Sequence, residues 1–263
     1  MTEVQPIPVT VSQYSYYSDK NYPKRRTMED AHVICDPLIE VEGRVYSLYA
    51  IFDGHRGRTA AQHCAKIVKD KIKEVLQRKD EGFEEMMQDA MYEMDMSLKE
   101  NGIEYSGCCA LMCIIEIKEK KRIIHMANCG DSCGIIIGTN EVIPMSEEHK
   151  ATNENEAQRI KESGGMIING RVSGDVAVTR GLGDHHLKQW VVSEPFVKEV
   201  EWQEDYKYIV LGCDGLWDTL NGKQIKEVLE SNNCEFTSSA KSLTQLAIGK
   251  GSTDNITTIV LKL

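Results

Sequence analysis

Two hydrophobic periods alternate along the chain. Residues 9–17 alternate apolar and polar side chains and carry several tyrosines, which predicts a strand. Residues 45–52 (VYSLYAIF) are apolar enough for a central strand, which stops at Asp53-Gly54-His55. From 58 to 77 the apolar positions Ala61, Ala65, Val68, Ile72 and Val75 recur with the spacing of a helix. Residues 83–99 repeat that spacing with Met87, Met91, Met94 and Leu98, a stripe that reads as helix core in preference to a soft docking face. Residues 107–118 and 122–129 are apolar runs around a charged Lys-Glu-Lys-Lys turn, a hairpin whose basic tip reads as solvated and not as a nuclear signal. A shorter pair follows at 133–138 and 141–145, then a helix at 153–163 closed by Gly164-Gly165. Residues 207–213 (KYIVLGC) predict another central strand, running into Asp214-Gly215. Helices at 222–230 and 238–248 and a strand at 256–263 complete the chain. Strands arrive in hairpins and helices in consecutive pairs, so the fold class is α+β with antiparallel sheets, not a βαβ repeat.

Composition narrows this picture. With six prolines, no low-complexity tract and no Gly/Ser linker, residues 1–263 read as one domain. A globule of this size buries about 75% of its unfolded surface, so its core needs neither disulfides nor a structural metal. The 41% hydrophobic and 27% charged fractions are those of an ordinary soluble chain. Forty-one acidic against 31 basic side chains, a net charge of −10, argue against a broad nucleic-acid face, which needs excess Lys and Arg. The longest apolar stretch, residues 108–115, is far short of the ~20 residues that span a bilayer, so no membrane partner is expected. The N-terminus lacks a basic region followed by an apolar core, and Thr2 stands where N-myristoylation needs glycine. Neither end suggests a regulatory extension, and a monomer is the default expectation. The nine cysteines, at 35, 64, 108, 109, 113, 129, 133, 213 and 234, are odd in number and mostly in apolar runs. That pattern suits a reducing compartment, the cytoplasm or nucleus.

The candidate chemistry lies in the carboxylates. Glu29-Asp30 precede a strand, Asp53-Gly54 follow one, and Asp131, Asp214 and Asp254 each border an apolar strand beside turn residues. Each alone is an ordinary turn or surface residue. If the strands are neighbours in a sandwich, the carboxylates converge at one end, where they cannot all stay ionised without cations. Oxygen ligands with few histidines select Mg²⁺ or Mn²⁺ over zinc. Such ions activate water toward phosphorus, which suggests hydrolysis of a phosphate ester. Other schemes lack their residues. No cysteine is followed by the arginine of a thiolate phosphatase loop, and there is no Gly-x-Ser-x-Gly, His-Glu-x-x-His, Walker or Gly-x-Gly-x-x-Gly motif. Cys109/Cys113 and Cys129/Cys133 have the wrong spacing for zinc, and His185-His186 reads as a loop pair.

These motifs carry a resemblance. The ordered set comprises Arg25-Arg26-Thr27-Met28-Glu29-Asp30-Ala31-His32, Phe52-Asp53-Gly54-His55, Ala127-Asn128-Cys129-Gly130-Asp131-Ser132 and Glu148-His149-Lys150. It continues with RVSGDVAVTRGLGD (171–184), Val192-Ser193-Glu194-Pro195, Cys213-Asp214-Gly215-Leu216-Trp217-Asp218 and Ser252-Thr253-Asp254-Asn255. From about Tyr14 to Leu263 the chain resembles the metal-dependent serine/threonine protein phosphatases of type 2C. The resemblance implies a central antiparallel β-sandwich flanked by helix pairs on both faces, with two Mn²⁺ or Mg²⁺ ions at one end. Position by position, it implies that Asp53 bridges the ions and the Gly54 carbonyl binds one. Glu29, Asp214 and Asp254 complete the shells, Asp30 acts through bound water, and Asp131 with Asp214 holds a third, weaker ion. Arg25 matches the arginine that clamps the substrate phosphate, with Arg26 in that place if the register shifts by one. His55 matches the general acid, a role an imidazole suits because a serine or threonine alkoxide is a poor leaving group. The implied substrates are phosphoserine and phosphothreonine proteins, reached past a flap at about 148–171.

Several positions depart from the pattern. Arg56 and Pro23 stand where glycine is usual, Arg56 adding positive charge beside the cleft. Cys108-Cys109 replace small hydroxyl residues, a buried change expected to be silent, and Cys133 replaces an arginine. Glu148 and Ala151 replace Asp and Pro at the entry to the flap, where they bear on substrate preference. None removes a matched ligand. That argues against a catalytically silent scaffold; the feature that discriminates a hydrolase of small phosphate esters is the flap, at about 148–171, which a protein substrate must pass.

Overall fold

The structure, a computed structural model, describes residues 9–78, 81–119, 121–231 and 235–263. The N-terminal residues read for targeting signals, Lys120 of the hairpin turn and Cys234 lie outside the described residues. Two antiparallel sheets face each other. One runs in the order β1 (Gln13–Asp19), β13 (Ile256–Lys262), β12 (Tyr206–Gly212), β6 (Cys133–Gly138), β7 (Val142–Pro144). The other runs β11 (Phe196–Glu201), β5 (Lys121–Cys129), β4 (Gly107–Lys118), β3 (Arg44–His55), β2 (Ala31–Val41), with β10 (Leu182–Gly183) paired to the start of β4.

The central strands read as unbroken apolar runs because both of their faces are covered. Tyr49 and Ile51 of β3 and Leu111, Cys113 and Ile115 of β4 meet Ile136, Leu211, Ile259 and Leu261 of the opposite sheet. Their neighbours Leu48, Ala50, Phe52, Ala110, Met112 and Ile114 point outward, against helices α1 (Thr59–Leu76) and α2 (Phe83–Glu100). The methionine stripe of α2 is buried there, as its period predicts. On the outer face of the other sheet, α5 (Gly222–Glu230) and α6 (Ser239–Gly249) bury Ile225, Leu229, Leu243 and Ala247. The result is the expected α+β sandwich between helix pairs. None of the described helices is long and apolar enough to cross a membrane.

The differences from the sequence reading sit at edges. The first strand begins at Gln13, not residue 9, because the Thr10 and Val11 amides are taken by the Asp36 carboxylate at 2.8 and 3.3 Å. Edge strands β2 and β11 carry mixed polarity, and β2 is interrupted by a bulge around Pro37. Between β7 and β11 lies a small unit built from α3 (Glu154–Glu162) and a hairpin of β8 (Ile167–Ile168) and β9 (Arg171–Val172). It has its own apolar cluster of Ile160, Val172, Val176, Leu187 and Val191. Asn153 caps α3, its side chain accepting from the Asn155 and Glu156 amides.

Candidate active site

Strand register brings distant carboxylates to one end of the sandwich. Ala31 pairs with Phe52, which sets Asp30 at the head of β2 beside Asp53 near the tip of β3. Gly212 pairs with both Cys133 and Thr258. Asp131, just before β6, therefore meets Asp214, the first residue of α4 (Asp214–Trp217), and Asp254, just before β13. Carboxylate oxygens of Asp53, Asp131 and Asp214 lie within 4.8 Å of one another, as do donor atoms of Asp30, Asp53 and Cys213. Glu29, Gly54 and Asp254 line the same cleft, as do Arg25 and His55, but Glu29 and Asp254 stand outside those two close groups.

Neighbouring groups fix the carboxylates in place. The Thr257 hydroxyl donates to Asp30 at 2.6 Å. Glu29 accepts from the Thr27 hydroxyl at 3.0 Å and the Gly57 amide at 3.1 Å, while its own amide donates to the Asn255 side chain at 2.9 Å. The Asn255 side chain also donates to the carbonyls of Lys20 and Thr27 at 3.0 and 2.9 Å. The Asn255 amide donates to Asp254 at 2.7 Å, and Arg25 ion-pairs with Asp254 from the other side. A side chain at Gly54 would stand 2.4 Å from the Glu29 carbonyl oxygen, so glycine is required for this approach.

Crowding leaves the site short of positive charge. Burial raises the Asp53 carboxyl well above the usual range, and Asp214, Asp30, Asp131 and Asp254 push it further. Burial and the neighbouring Asp131 raise Asp214 to about 7, and burial raises Asp30 to about 6. Asp254 is raised chiefly by burial, against the pull of the Asn255 amide and Arg25. Two buried carboxylate oxygens, Oδ1 of Asp30 and Oδ1 of Asp214, have no hydrogen-bond partner among the described residues. Buried acceptors without donors, gathered with other carboxylates, are what a hard divalent cation satisfies. The donor set therefore fits the ions expected from the sequence.

Arg25 lines the cleft and Arg26 is not among its lining residues, which favours the unshifted register. Arg56 takes a left-handed backbone conformation at φ 56°, matching the glycine expected there. Its charge is engaged by Asp175, with His186 Nε2 at 2.9 Å from the guanidinium. Cys109 corrects an expectation. Its thiol donates to Asp131 at 3.2 Å and lines the cleft, so the change from a hydroxyl residue touches the site instead of being silent packing. Lys150 joins Asp131, at 3.6 Å, to Asp218, at 3.1 Å. Burial works against the Lys150 charge, but these carboxylates outweigh it and raise its pKa. Arg171, Asp175 and residues 176–178 line the same cleft. Asp184, 2.6 Å from His55 Nε2, was missed by the sequence reading although it ends the Gly181-Leu182-Gly183-Asp184 segment quoted above.

Comparison with known proteins gives the family and the fold. A sequence model of the family described as protein phosphatase 2C matches residues 14–256. Protein phosphatase 2C homolog 1 of Saccharomyces cerevisiae is 31% identical, over 92% of this chain and 90% of that protein. The protein of the same description from Schizosaccharomyces pombe is 32% identical, over 93% of this chain and 71% of that one. Among solved structures, a C. elegans sex determining protein superposes with a TM-score of 0.83 at 25% identity, covering 95% of this chain and 64% of that chain. A serine-threonine phosphatase 2C from Toxoplasma gondii superposes with a TM-score of 0.79 at 19% identity, covering 98% and 96%, a likeness of fold.

Proposed function

The chain belongs to the protein phosphatase 2C family and is a protein serine/threonine phosphatase; from that premise we propose that it hydrolyses phosphoserine and phosphothreonine by metal-assisted attack of water in the carboxylate cleft. The observation that carries this is the convergence of half-buried and buried carboxylates around Asp53, more than the neighbouring Arg25 and Lys150 can neutralise. Asp53, the Gly54 carbonyl, Glu29, Asp214 and Asp254 would hold two Mn²⁺ or Mg²⁺ ions, with Asp30 acting through water and Asp131 joining Asp214 at a third, weaker position. Bound there, the ions supply positive charge to the phosphoryl oxygens and lower the pKa of water.

The chain's own residues do the rest. Arg25, at the cleft mouth, orients the phosphate with its planar fork, exchanging the Asp254 contact for the substrate oxygens. Thr257 holds Asp30 in one orientation, so that its free oxygen is directed by the fold and not by solvent. His55 donates a proton to the leaving seryl or threonyl oxygen. The unit around α3 acts as a flap that the phosphoprotein passes, with Arg171 and residues 176–178 on its cleft side.

A direct assay tests this. With Mn²⁺ the purified protein is expected to release phosphate from a phosphothreonine peptide, and to lose that activity in excess EDTA. Undiminished turnover in chelator would refute the metal-assisted reading.

A further inference from the structure

We infer that Asp184 is the positioning residue for His55, fixing the imidazole through Nε2 so that Nδ1 is the nitrogen left to serve the leaving oxygen. The inference rests on the proton-donor reading of His55 given above. His55 Nε2 and Asp184 Oδ2 are 2.6 Å apart, and Asp184 is 0% exposed. Its second oxygen accepts no hydrogen bond among the described residues, and the Arg56 guanidinium stands 3.9 Å away. A carboxylate buried with so few partners costs stability. A solvated surface pair would not require that placement, whereas holding a ring in one orientation does.

The surroundings are arranged around this contact. Asp184 adopts the left-handed conformation at φ 49°, directly after Gly183 at φ 86°. The Gly183 amide donates to Asp95 of α2 at 2.7 Å, and Lys188 donates to the same oxygen at 2.8 Å. Asp95 is itself 3% exposed, so a helix core anchors the turn that presents Asp184. On the other side lies Gly107. A side chain there would stand 2.1 Å from Asp184 Oδ2 and 2.5 Å from His55 Nε2, so the pair occupies the space a Cβ would fill.

With Nε2 donating to the carboxylate, the ring cannot rotate to present that nitrogen to substrate. The proton transferred is then the one on Nδ1: the Nδ1–H bond breaks as the phosphorus–oxygen bond opens, and the new O–H bond forms on the serine or threonine. Asp184 touches neither substrate nor reacting atoms and acts only through His55.

Asp184→Asn tests this, since asparagine tolerates the left-handed conformation and keeps the shape of the side chain. It is expected to lower kcat on a phosphothreonine peptide by about tenfold to a hundredfold. KM should be unchanged, and the loss on p-nitrophenyl phosphate, whose leaving group needs less protonation, should be smaller. Added to His55→Ala, it should cause no further loss, because the residue it acts through is gone. Equal losses on both substrates, or losses that multiply in the double variant, overturn the inference while a substrate-selective His55→Ala leaves the proton-donor reading standing. A His55→Ala variant equally impaired on both substrates instead removes that reading, and this inference with it. If Asp184→Asn does not fold, Gly107→Ala carries the test and should show the same substrate selectivity. Nitrogen-15 spectra of the folded protein give a readout apart from activity. A proton on His55 Nε2 is expected, and a ring with Nε2 bare overturns the assignment.

Discussion

Asp53 stands among four other carboxyl groups, and two predictions belong to it and its neighbours. Asp53→Ala should abolish most turnover and also the rise in melting temperature that Mn²⁺ gives the wild type. In the metal-free state the same change should stabilise the fold, because it removes one of several carboxyl groups that are costly to crowd together. Differential scanning fluorimetry with and without metal separates the two effects. The second prediction concerns pH. Asp214 and Asp30 are raised to about 7 and about 6 in the fold, from 3.8 in the unfolded chain. The folded, metal-free protein therefore binds the extra protons, and their contribution is full below the unfolded value and lost as pH rises through the folded ones. Its melting temperature should fall as pH rises from about 5 to about 8. Metal binding at neutral pH should release protons, seen as a buffer-dependent heat in calorimetry. At this scale the carboxylates of the cleft were legible in sequence because each interrupts or borders an apolar strand. Asp184 was not, because its contact is with His55, more than a hundred positions away, in space that only a glycine at 107 leaves open.

Among elements, the central strands and paired helices were readable because burial on both faces writes itself into sequence as long apolar runs and a helical period. The strand after Glu29-Asp30 was read only by its start, and edge strand β11 and the two-residue pairs were not read, since a half-covered strand carries charges and a short one has no period. Leu111 of β4 lies fully buried between the sheets, and Leu111→Ala should cost about 2–5 kcal/mol in denaturant unfolding. The α3 unit depends on one buried carboxylate instead. Burial would raise the Glu156 pKa, but Arg180 at 2.7 Å, Thr179 at 2.6 Å and Arg159 at 3.0 Å hold it down to about 2. Its stabilisation is present above the unfolded value and fades as pH falls toward about 2. Glu156→Ala leaves two arginines facing a vacancy and should cost about 3 kcal/mol or more. Hydrogen exchange should show the loss confined to the unit around α3, with the strands of the sandwich still protected. Loss of protection throughout the sandwich would show that this unit is not a separate element of stability.

For the molecule as a whole, the sandwich is the device that turns scattered turns into one cleft: neither sheet supplies all of its carboxylates by itself. Asp30 and Asp53 come from one sheet, and Asp214 and Asp254 from the loops of the other. Strand β13 lies between β1 and β12, so among the described residues the first strand pairs with the last. Asn255, at the head of β13, ties down the backbone of Lys20, Thr27 and Glu29. A nascent chain therefore carries an open sheet edge and an unassembled cleft while it is being made. The cleft can close only after the strand at 256–262 has been made and has drawn residues 13–29 onto the rest.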